Sequence, residues 1–299
     1  MSSLGNVAGA YPATPARTLP GQRRAPQPLR WVGKQKLSLL IPAVLLLAIL
    51  ILSLFASVIA PYDPNALSMQ EMLAAPSSDH LLGTDQLGRD VLSRVLYGGR
   101  TTIIMSLIGT VAIVGLGLVV GLTTGYIGGR FDLVVSTLLT VLLSVPSLLL
   151  TLAILGILGA GTGTLLIALI GAGWVGHARI FRSSVLSLRE TVYVEAAESS
   201  GAGGGRVLWR HILPNLMTIV VVMATLDLGA LILTITSLSF LGLGVQPPNA
   251  DWGTMLNEAR TYFGQYPILA IAPGVCISLV ALLCNLLGDA IRDLVDVGH

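Results

Sequence analysis

Long apolar runs separated by short polar stretches dominate the chain. Residues 37–60 contain no charged side chain and would form a helix about 36 Å long at 1.5 Å per residue. Five further apolar runs occur at residues 101–126, 133–158, 163–181, 215–245 and 268–288. Because lipid offers the backbone no hydrogen-bond partner, we predict that all six runs span a membrane as helices.

The first apolar run follows a basic stretch and precedes small residues, so a cleaved signal peptide is an alternative to a retained span. The apolar part of a signal peptide is about 7–15 residues long, and this run is longer, so we favour a retained first span over residues 37–60. Residues 1–36 contain five prolines, six Lys or Arg residues and no acidic residue. This composition predicts a disordered basic tail, whose charges could contact anionic membrane lipid.

Composition and charge distribution support a membrane protein and give its orientation. Only 11% of the residues are charged, against about 25% in soluble domains. With six spans, 13 of the 17 Lys and Arg residues fall on the side of the two termini and the 182–214 segment. The excess of basic residues on cytoplasmic loops then predicts that both termini are cytoplasmic and that residues 61–100 form an extracytoplasmic loop.

Glycine and proline within the apolar runs predict local packing and bending. Gly117, Gly121, Gly125 and Gly129 repeat every four residues, a spacing that lets two membrane helices approach closely. A phosphate-binding loop is the alternative, but no Gly-Lys-Ser/Thr sequence follows. We expect Pro146 to kink the third span.

The longest cytoplasmic connection, residues 188–214, has helical periodicity. Leu188, Val192 and the Ala196–Ala197 pair share one face of a predicted short helix that Gly201 ends. Residues 206–213 can form a second short helix, and Pro214 precedes the next span. Because a simple connection needs fewer residues, we interpret this coupling segment, 188–214, as a docking element for a soluble partner rather than an ordinary loop.

Specific motifs in this segment and elsewhere resemble a known family. Glu195-Ala196-Ala197, then Gly201, then Leu213-Pro214 resemble the EAA signature of ABC-importer permeases. Other stretches resemble the second ("C-type") permease of dipeptide, oligopeptide and nickel importers. These are APYDP at 60–64, HLLGTDQLGRDVLSRVLYGGR at 80–100, GYIGG at 125–129, SVPSLLL at 144–150, SFLGLGVQPPNADWGTML at 239–256 and NLLGDAIRDLVD at 285–296.

The resemblance implies an all-α polytopic membrane protein with six transmembrane helices and a cytoplasmic coupling helix between the fourth and fifth. Residues 101–299 would be the five-helix permease core. The residues that would couple to an ATPase are Glu195, Ala196, Ala197, Gly201, Leu213 and Pro214. The implied location is the bacterial plasma membrane, and the implied cargo is di- or oligopeptides, with nickel or a chelated metal as the alternative.

The resemblance also implies the partners. These are a homologous permease in a heterodimer, one or two ABC ATPase subunits and an extracytoplasmic substrate-binding protein; no nucleic acid is expected. The chain lacks a phosphate-binding loop, so ATP and Mg would be used by the ATPases, and we expect neither enzymatic activity nor a bound cofactor or metal in this chain. The four histidines show no metal-ligand spacing.

Asp227 stands alone in an apolar run, and an intramembrane acid is a candidate functional residue. It could line the translocation pathway or pair with a polar group on a neighbouring helix. An ion-coupled secondary transporter that uses Asp227 is a lower alternative, although the chain shows no clear internal repeat. A structural scaffold is another.

Residues of the outer loops receive two interpretations each. Thr84 or Asp85 could cap a helix that runs to about Tyr97. Asp85, Arg89 and Asp90 fit loop packing, and by resemblance they could contact the binding protein. Trp252 is interpreted as an anchor at the membrane interface rather than a stacking platform for substrate.

Overall fold

The computed structural model describes residues 29–296, with side chains described for residues 37–294. Residues 1–28 of the predicted basic tail lie outside this part. The prediction that the tail extends to residue 36 was wrong, because the first helix already begins at Leu29, directly after Pro28. Residues 29–36 contain no proline, and their Lys, Arg and Gln residues are good helix formers.

The described chain is almost entirely helical, and five helices are long and apolar enough to cross a membrane. A single turn of 3₁₀-helix, Met69–Glu71, lies in the first outer loop. In chain order the helices are α1 (Leu29–Leu54), α2 (Ala56–Ile59), α3 (Val91–Ile127), α4 (Gly129–Leu143), α5 (Ser147–Leu158), α6 (Thr162–Arg189), α7 (Val192–Ser199), α8 (Gly204–Val207), α9 (Leu213–Phe240), α10 (Trp252–Ala259) and α11 (Ile268–Asp296). The five long spans run along α1, α3, α6, α9 and α11.

The predicted third span is broken rather than straight. Helices α4 and α5 meet at an angle of 82°, and together they count as a sixth candidate span. The helix breaks at Pro146 because proline has no backbone N–H and disfavours helical geometry in the residue before it. The expected kink at Pro146 is therefore confirmed in a stronger form, because the third span consists of two helices rather than one kinked helix.

Helix α3 is the centre of the bundle. Its inner face packs along α6, and α9 packs against both α3 and α11. Helix α1 covers α11 at the edge of the bundle and presents most of its apolar side chains outward, as a lipid-facing helix does. The arrangement brings α6 and α9, which flank the coupling segment in sequence, onto one central helix.

Three of the four regularly spaced glycines form the contact between α3 and α6. A Cβ on Gly121 would lie 2.6 Å from the carbonyl oxygen of Ala178, and one on Gly125 would lie 2.8 Å from the Cβ of Val185. Gly117 meets the backbone of α6 in the same way. Close helix packing is confirmed for these three, but a Cβ on Gly129 would meet nothing within 4 Å, and Gly129 begins α4 with a φ of +60°.

The predicted capping residues of the outer helix were wrong. Asp90 caps α3, because its Oδ2 accepts a hydrogen bond of 2.8 Å from the backbone N–H of Ser93. Thr84 instead accepts from the backbone N–H of Ala74 at 2.9 Å and donates to the Glu71 carbonyl. The capped helix also continues past Tyr97 and is one 37-residue element with the next predicted span.

Trp252 is a core residue rather than an interfacial anchor. It is 2% exposed, and its Nε1 donates a 2.9 Å hydrogen bond to the Val95 carbonyl. Its ring packs on Gly98 and Gly99, where any Cβ would come within about 3 Å of the indole. The glycine pair thus leaves room for the Trp252 indole against the first turns of α3.

The contact between α3 and α6 generates a stability prediction. We expect Gly121→Ala to lower the thermal unfolding temperature of the purified protein, because the added methyl group must displace the α6 backbone. Overpacking of this kind costs about 1–3 kcal/mol. The measured quantity is the temperature at which the purified protein in detergent loses its monodisperse elution peak.

Gly115→Ala is the matched control on the same helix. Nothing lies within 4 Å of a Cβ at this position, and alanine is the better helix former by about 0.5–1 kcal/mol. The control should therefore unfold at the same or a slightly higher temperature. Equal destabilisation by both changes would contradict the packing role of Gly121.

Candidate coupling segment and ion pairs of the bundle

The coupling segment contains one separate short helix, α7, closed by Gly201. The backbone N–H of Ala202 donates to the Ala197 carbonyl at 3.1 Å, and that of Gly201 donates to the Glu198 carbonyl at 3.0 Å. With a φ of +82° at Gly201, these bonds form the two-bond glycine cap of a helix C-terminus. The predicted end of the helix at Gly201 is confirmed, although α7 begins at Val192 and Leu188 belongs to α6.

The predicted second short helix is not separate. Helix α8 begins at Gly204, and a π-helical segment, Leu208–Ile212, joins it to α9 without a break. Pro214 explains the wider turn, because in a regular helix its ring would clash with the carbonyl four residues earlier. The second half of the coupling segment is therefore the first part of a continuous helical span that runs to Phe240.

Buried apolar side chains fix both halves of the segment to the bundle. Val194, Val207 and Ile212 are fully buried in one cluster with Phe181 and Val185 of α6. The partly buried Ala197, Ala202 and Leu213 pack against the same cluster. The segment is thus seated on α6 rather than free in solution.

Polar contacts with α3 also hold the coupling segment against the bundle. The Tyr126 hydroxyl lies so close to Gly204 that a Cβ there would be 2.7 Å away. The guanidinium of Arg189 lies over the Tyr126 ring, 5.4 Å from its centroid, and Nη1 donates to the Gly125 carbonyl at 3.3 Å. The last turns of α3 and α6 and the first turn of α8 therefore meet at one point.

The side of the coupling segment that faces away from the bundle, here called the knob, exposes both charged and apolar side chains. Glu195, Ala196 and Gly201 are exposed, as is Pro214. Val192 and Trp209 are also exposed, to 81% and 69%. Sequence reasoning placed Val192 on the same helix face as Ala196 but did not assign it to coupling, and it did not single out Trp209. These two exposed apolar side chains are therefore additions to the predicted coupling residues.

At the end of α3 away from the coupling segment, two arginines and two acids form a buried network. Arg89 Nε lies 2.6 Å from Asp85 Oδ2, and Arg89 and Arg94 each place an Nη2 2.8 Å from Glu258 Oε2. Buried charges are tolerated when paired, and this set is balanced. The network ties the first outer loop and α3 to α10.

Asp90 lies beside this network and is equally buried. Its Oδ1 is 2.9 Å from His80 Nδ1, and the hydrogen bond and charge of Asp90 raise the pKa of His80 above its ordinary value. Asp85, Arg89 and Asp90 all lie in the interior of the loop. Burial favours their packing role over direct contact with a binding protein, which stays a prediction.

An ion pair and a histidine–carboxylate contact join α6 to other helices. Arg182 makes a two-bond pair with Asp132 of α4, including an Nη2–Oδ2 distance of 2.7 Å. His177 Nε2 contacts Asp227 Oδ2 of α9. The polar partner that the sequence predicted for Asp227 on a neighbouring helix is therefore His177. The sequence analysis did not identify this partner, because the two residues are 50 positions apart.

Comparison with known proteins places this arrangement in a family. Residues 117–297, more than half of the chain, match the model of binding-protein-dependent transport system inner membrane components. The nickel transport system permease protein NikC of Escherichia coli (strain K12) is 37% identical over 84% of this chain and 92% of its own. The glutathione transport system permease protein GsiD of Pectobacterium atrosepticum is 38% identical over 84% and 83%.

A third relative, the probable D,D-dipeptide transport system permease protein DdpC of Escherichia coli (strain K12), is 37% identical over 90% of both chains. The chain belongs to this permease family. The predicted resemblance to ABC-importer permeases of the dipeptide, oligopeptide and nickel group is confirmed. The permease is a multi-pass inner membrane protein and a transport component, and the matched region includes the coupling segment, the ion pair and the histidine–carboxylate contact of α6, and Glu258.

The buried network generates a second prediction for the permease. We expect Glu258→Gln to destabilise it by about 3–5 kcal/mol, because Arg89 and Arg94 would then share one carboxylate inside the protein. The measurement is the free energy or temperature of unfolding in detergent. Glu190→Gln, a change of the same kind at an exposed position, should leave stability within about 0.5 kcal/mol. Equal stability of the two variants would contradict a structural role for the network.

Proposed function

We propose that this permease subunit forms, together with a homologous permease, the passage for di- or oligopeptides across the bacterial plasma membrane. One or two ABC ATPase subunits would supply the energy from ATP and Mg, and an extracytoplasmic binding protein would deliver the cargo. Family membership favours this ATP-driven import over an ion-coupled carrier or a structural scaffold. The geometry that supports it best is the exposed knob of α7, fixed at both ends to transmembrane helices.

The knob has the properties that a coupling element needs. A partner can push on Glu195 and Ala196 because both are exposed, and α7 cannot yield independently because Val194 is buried in the bundle. Force applied there reaches α6 through the short turn at residues 190–191 and α9 through α8. We assign Glu195, Ala196, Ala197, Gly201, Leu213 and Pro214 to the coupling site, with Val192 and Trp209 as further exposed contacts.

The proposed orientation follows from charge. The knob lies at the end of α6 that carries Arg179, Arg182 and Arg189, and basic residues favour the cytoplasmic side. This charge distribution supports a cytoplasmic position for the knob and both termini, on the side where ATPases operate. The buried network around Glu258 then lies on the opposite, extracytoplasmic side.

Two cargo classes are supported by relatives of similar identity. GsiD and DdpC are named for glutathione and a D,D-dipeptide, and NikC is named for nickel. Two of these three cargoes are peptides, and for this reason we place peptides first. Nickel is the second candidate because the match covers 92% of NikC.

A charge reversal tests the coupling site. We expect Glu195→Arg to reduce co-purification of the ATPase subunits at least about tenfold, since like charges placed across an interface cost several kcal/mol. The thermal stability of the permease should not change, because Glu195 is exposed. Asp79→Arg is the matched control: it makes the same charge change on an exposed residue of the outer loop and should retain the ATPases. Retention of the ATPases by both variants would reject the coupling site.

Uptake by the reconstituted importer separates the cargo classes. We expect ATP-dependent accumulation of radiolabelled dialanine in vesicles that contain the permease, its partners and the binding protein, and a larger loss of uptake in Glu195→Arg than in Asp79→Arg. Accumulation of ⁶³Ni²⁺ without dialanine uptake would assign the permease to metal import. Uptake without ATP and partners would contradict the proposed function.

A further inference from the structure

The pair of His177 and Asp227 lies halfway along its two helices. Asp227 is 14 positions after Leu213 and 13 before Phe240, about 20 Å from either end of α9. His177 is 15 positions after Thr162 and 12 before Arg189. The pair is therefore near the middle of the hydrocarbon region, where an ionisable side chain is most costly.

This pair is not sealed inside the bundle. The side chain of Asp227 is 27% exposed and that of His177 is 13% exposed. Among the described residues, the hydrogen bond to His177 uses only Oδ2 of the carboxylate, so Oδ1 remains open to a further donor. A partly exposed carboxylate at this depth is not stable against lipid, so the exposed side must face a polar space or another protein surface.

The neighbours of Asp227 on α9 favour a polar space. Ala230, Thr234 and Ser237 follow it at spacings of three, four and three residues, which places them on the same side of the helix. Ala230 and Ser237 are exposed, and Thr234 is partly exposed. A strip of small and hydroxyl-bearing residues thus leads from the extracytoplasmic half of α9 to Asp227.

Asp227 is also the first charge that a solute would meet along the spans. Residues 101–127, 133–176, 228–250 and 268–288 contain no Asp, Glu, Lys, Arg or His. The arginines of α6 all lie on the cytoplasmic side of His177. A positively charged group that enters from outside would therefore reach the carboxylate before it met any cation of these segments.

We propose that Asp227, held by His177, is an intramembrane binding station for a positively charged group of the cargo, such as the α-ammonium group of a peptide. The ammonium donates hydrogen bonds to the open Oδ1 while His177 keeps Oδ2. The strip of Ala230, Thr234 and Ser237 forms the approach from outside. This station rests on the proposed function, because it requires that α9 line the passage.

Charge-selective modification of a cysteine tests the station without knowledge of the cargo. In Ala230→Cys, the thiol lies one helical turn from Asp227. The complete importer in vesicles is treated from outside with a trimethylammonium-ethyl or a sulfonato-ethyl methanethiosulfonate, and modification of position 230 is followed by mass spectrometry. With each rate divided by the rate for a free thiol, we expect the cationic reagent to react about tenfold faster than the anionic one, from a single charge about 6 Å away in water.

Matched variants identify the source of the selectivity. Adding Asp227→Asn to Ala230→Cys should bring the two rates to within about twofold, whereas Asp227→Glu should keep the cationic preference. In Ser237→Cys, which lies about 15 Å from Asp227 along the helix, the preference should be weaker.

Three outcomes would overturn the station. Absence of reaction with both reagents would show that this side of α9 faces lipid or another subunit, and equal rates in Ala230→Cys would show that the pair with His177 carries no net negative charge. A cationic preference that survives Asp227→Asn would assign it to another residue. Failure here with intact ATP-dependent uptake would leave the proposed function standing. Loss of ATP-dependent uptake with the cationic preference intact would count against the proposed function and not against the station.

Discussion

The close contact between α3 and α6 determines where the other parts of the permease lie. In a membrane the hydrophobic effect does not drive helices together, so association depends on how closely their backbones can approach. Gly117, Gly121 and Gly125 remove the side chains that would keep α3 away from α6. With α6 fixed in this way, Arg189 reaches Tyr126 and the first turn of α8 packs beside it.

Several ionisable groups of the described bundle pair with a group on a different element. Arg182 pairs with Asp132, His177 with Asp227, and two arginines share Asp85 and Glu258. Each pair offsets the cost of removing charge from water only if both partners arrive at the same place. The pairs therefore add specificity to a bundle whose apolar contacts alone would tolerate sliding, and the pair at Asp227 differs from the others by its more exposed carboxylate and its depth.

Local features of this fold could be predicted from the sequence, and long-range ones could not. The length of the apolar runs predicts the spans, Pro146 predicts the break, and Gly201 predicts the end of α7 because glycine readily adopts the left-handed conformation. Each of these predictions needs only a few neighbouring residues. The partner of Asp227 is 50 positions away and that of Arg94 is 164 away, so no periodicity reveals them.

Trp252 was misplaced for the same reason, since its pocket is formed by glycines of another helix. Asp90 was missed as a cap because three neighbouring polar residues, Thr84, Asp85 and Asp90, can all accept backbone hydrogen bonds.

The exposed knob and the intramembrane carboxylate share helices, and this limits how either can move. Gly204–Phe240 is one continuous helical path in which the π-helical segment accommodates Pro214, so a displacement at α8 is carried toward Asp227 over about 35 Å. Helix α6 provides a second path, from the turn before α7 to His177. Because His177 and Asp227 are on different paths, any motion at the knob that shifts α6 and α9 unequally must strain or separate the pair. A pair that is closed in one state and separated in another would present different numbers of carboxylate oxygens to a cationic solute. Differential affinity of this kind is what couples a conformational equilibrium to a bound ligand.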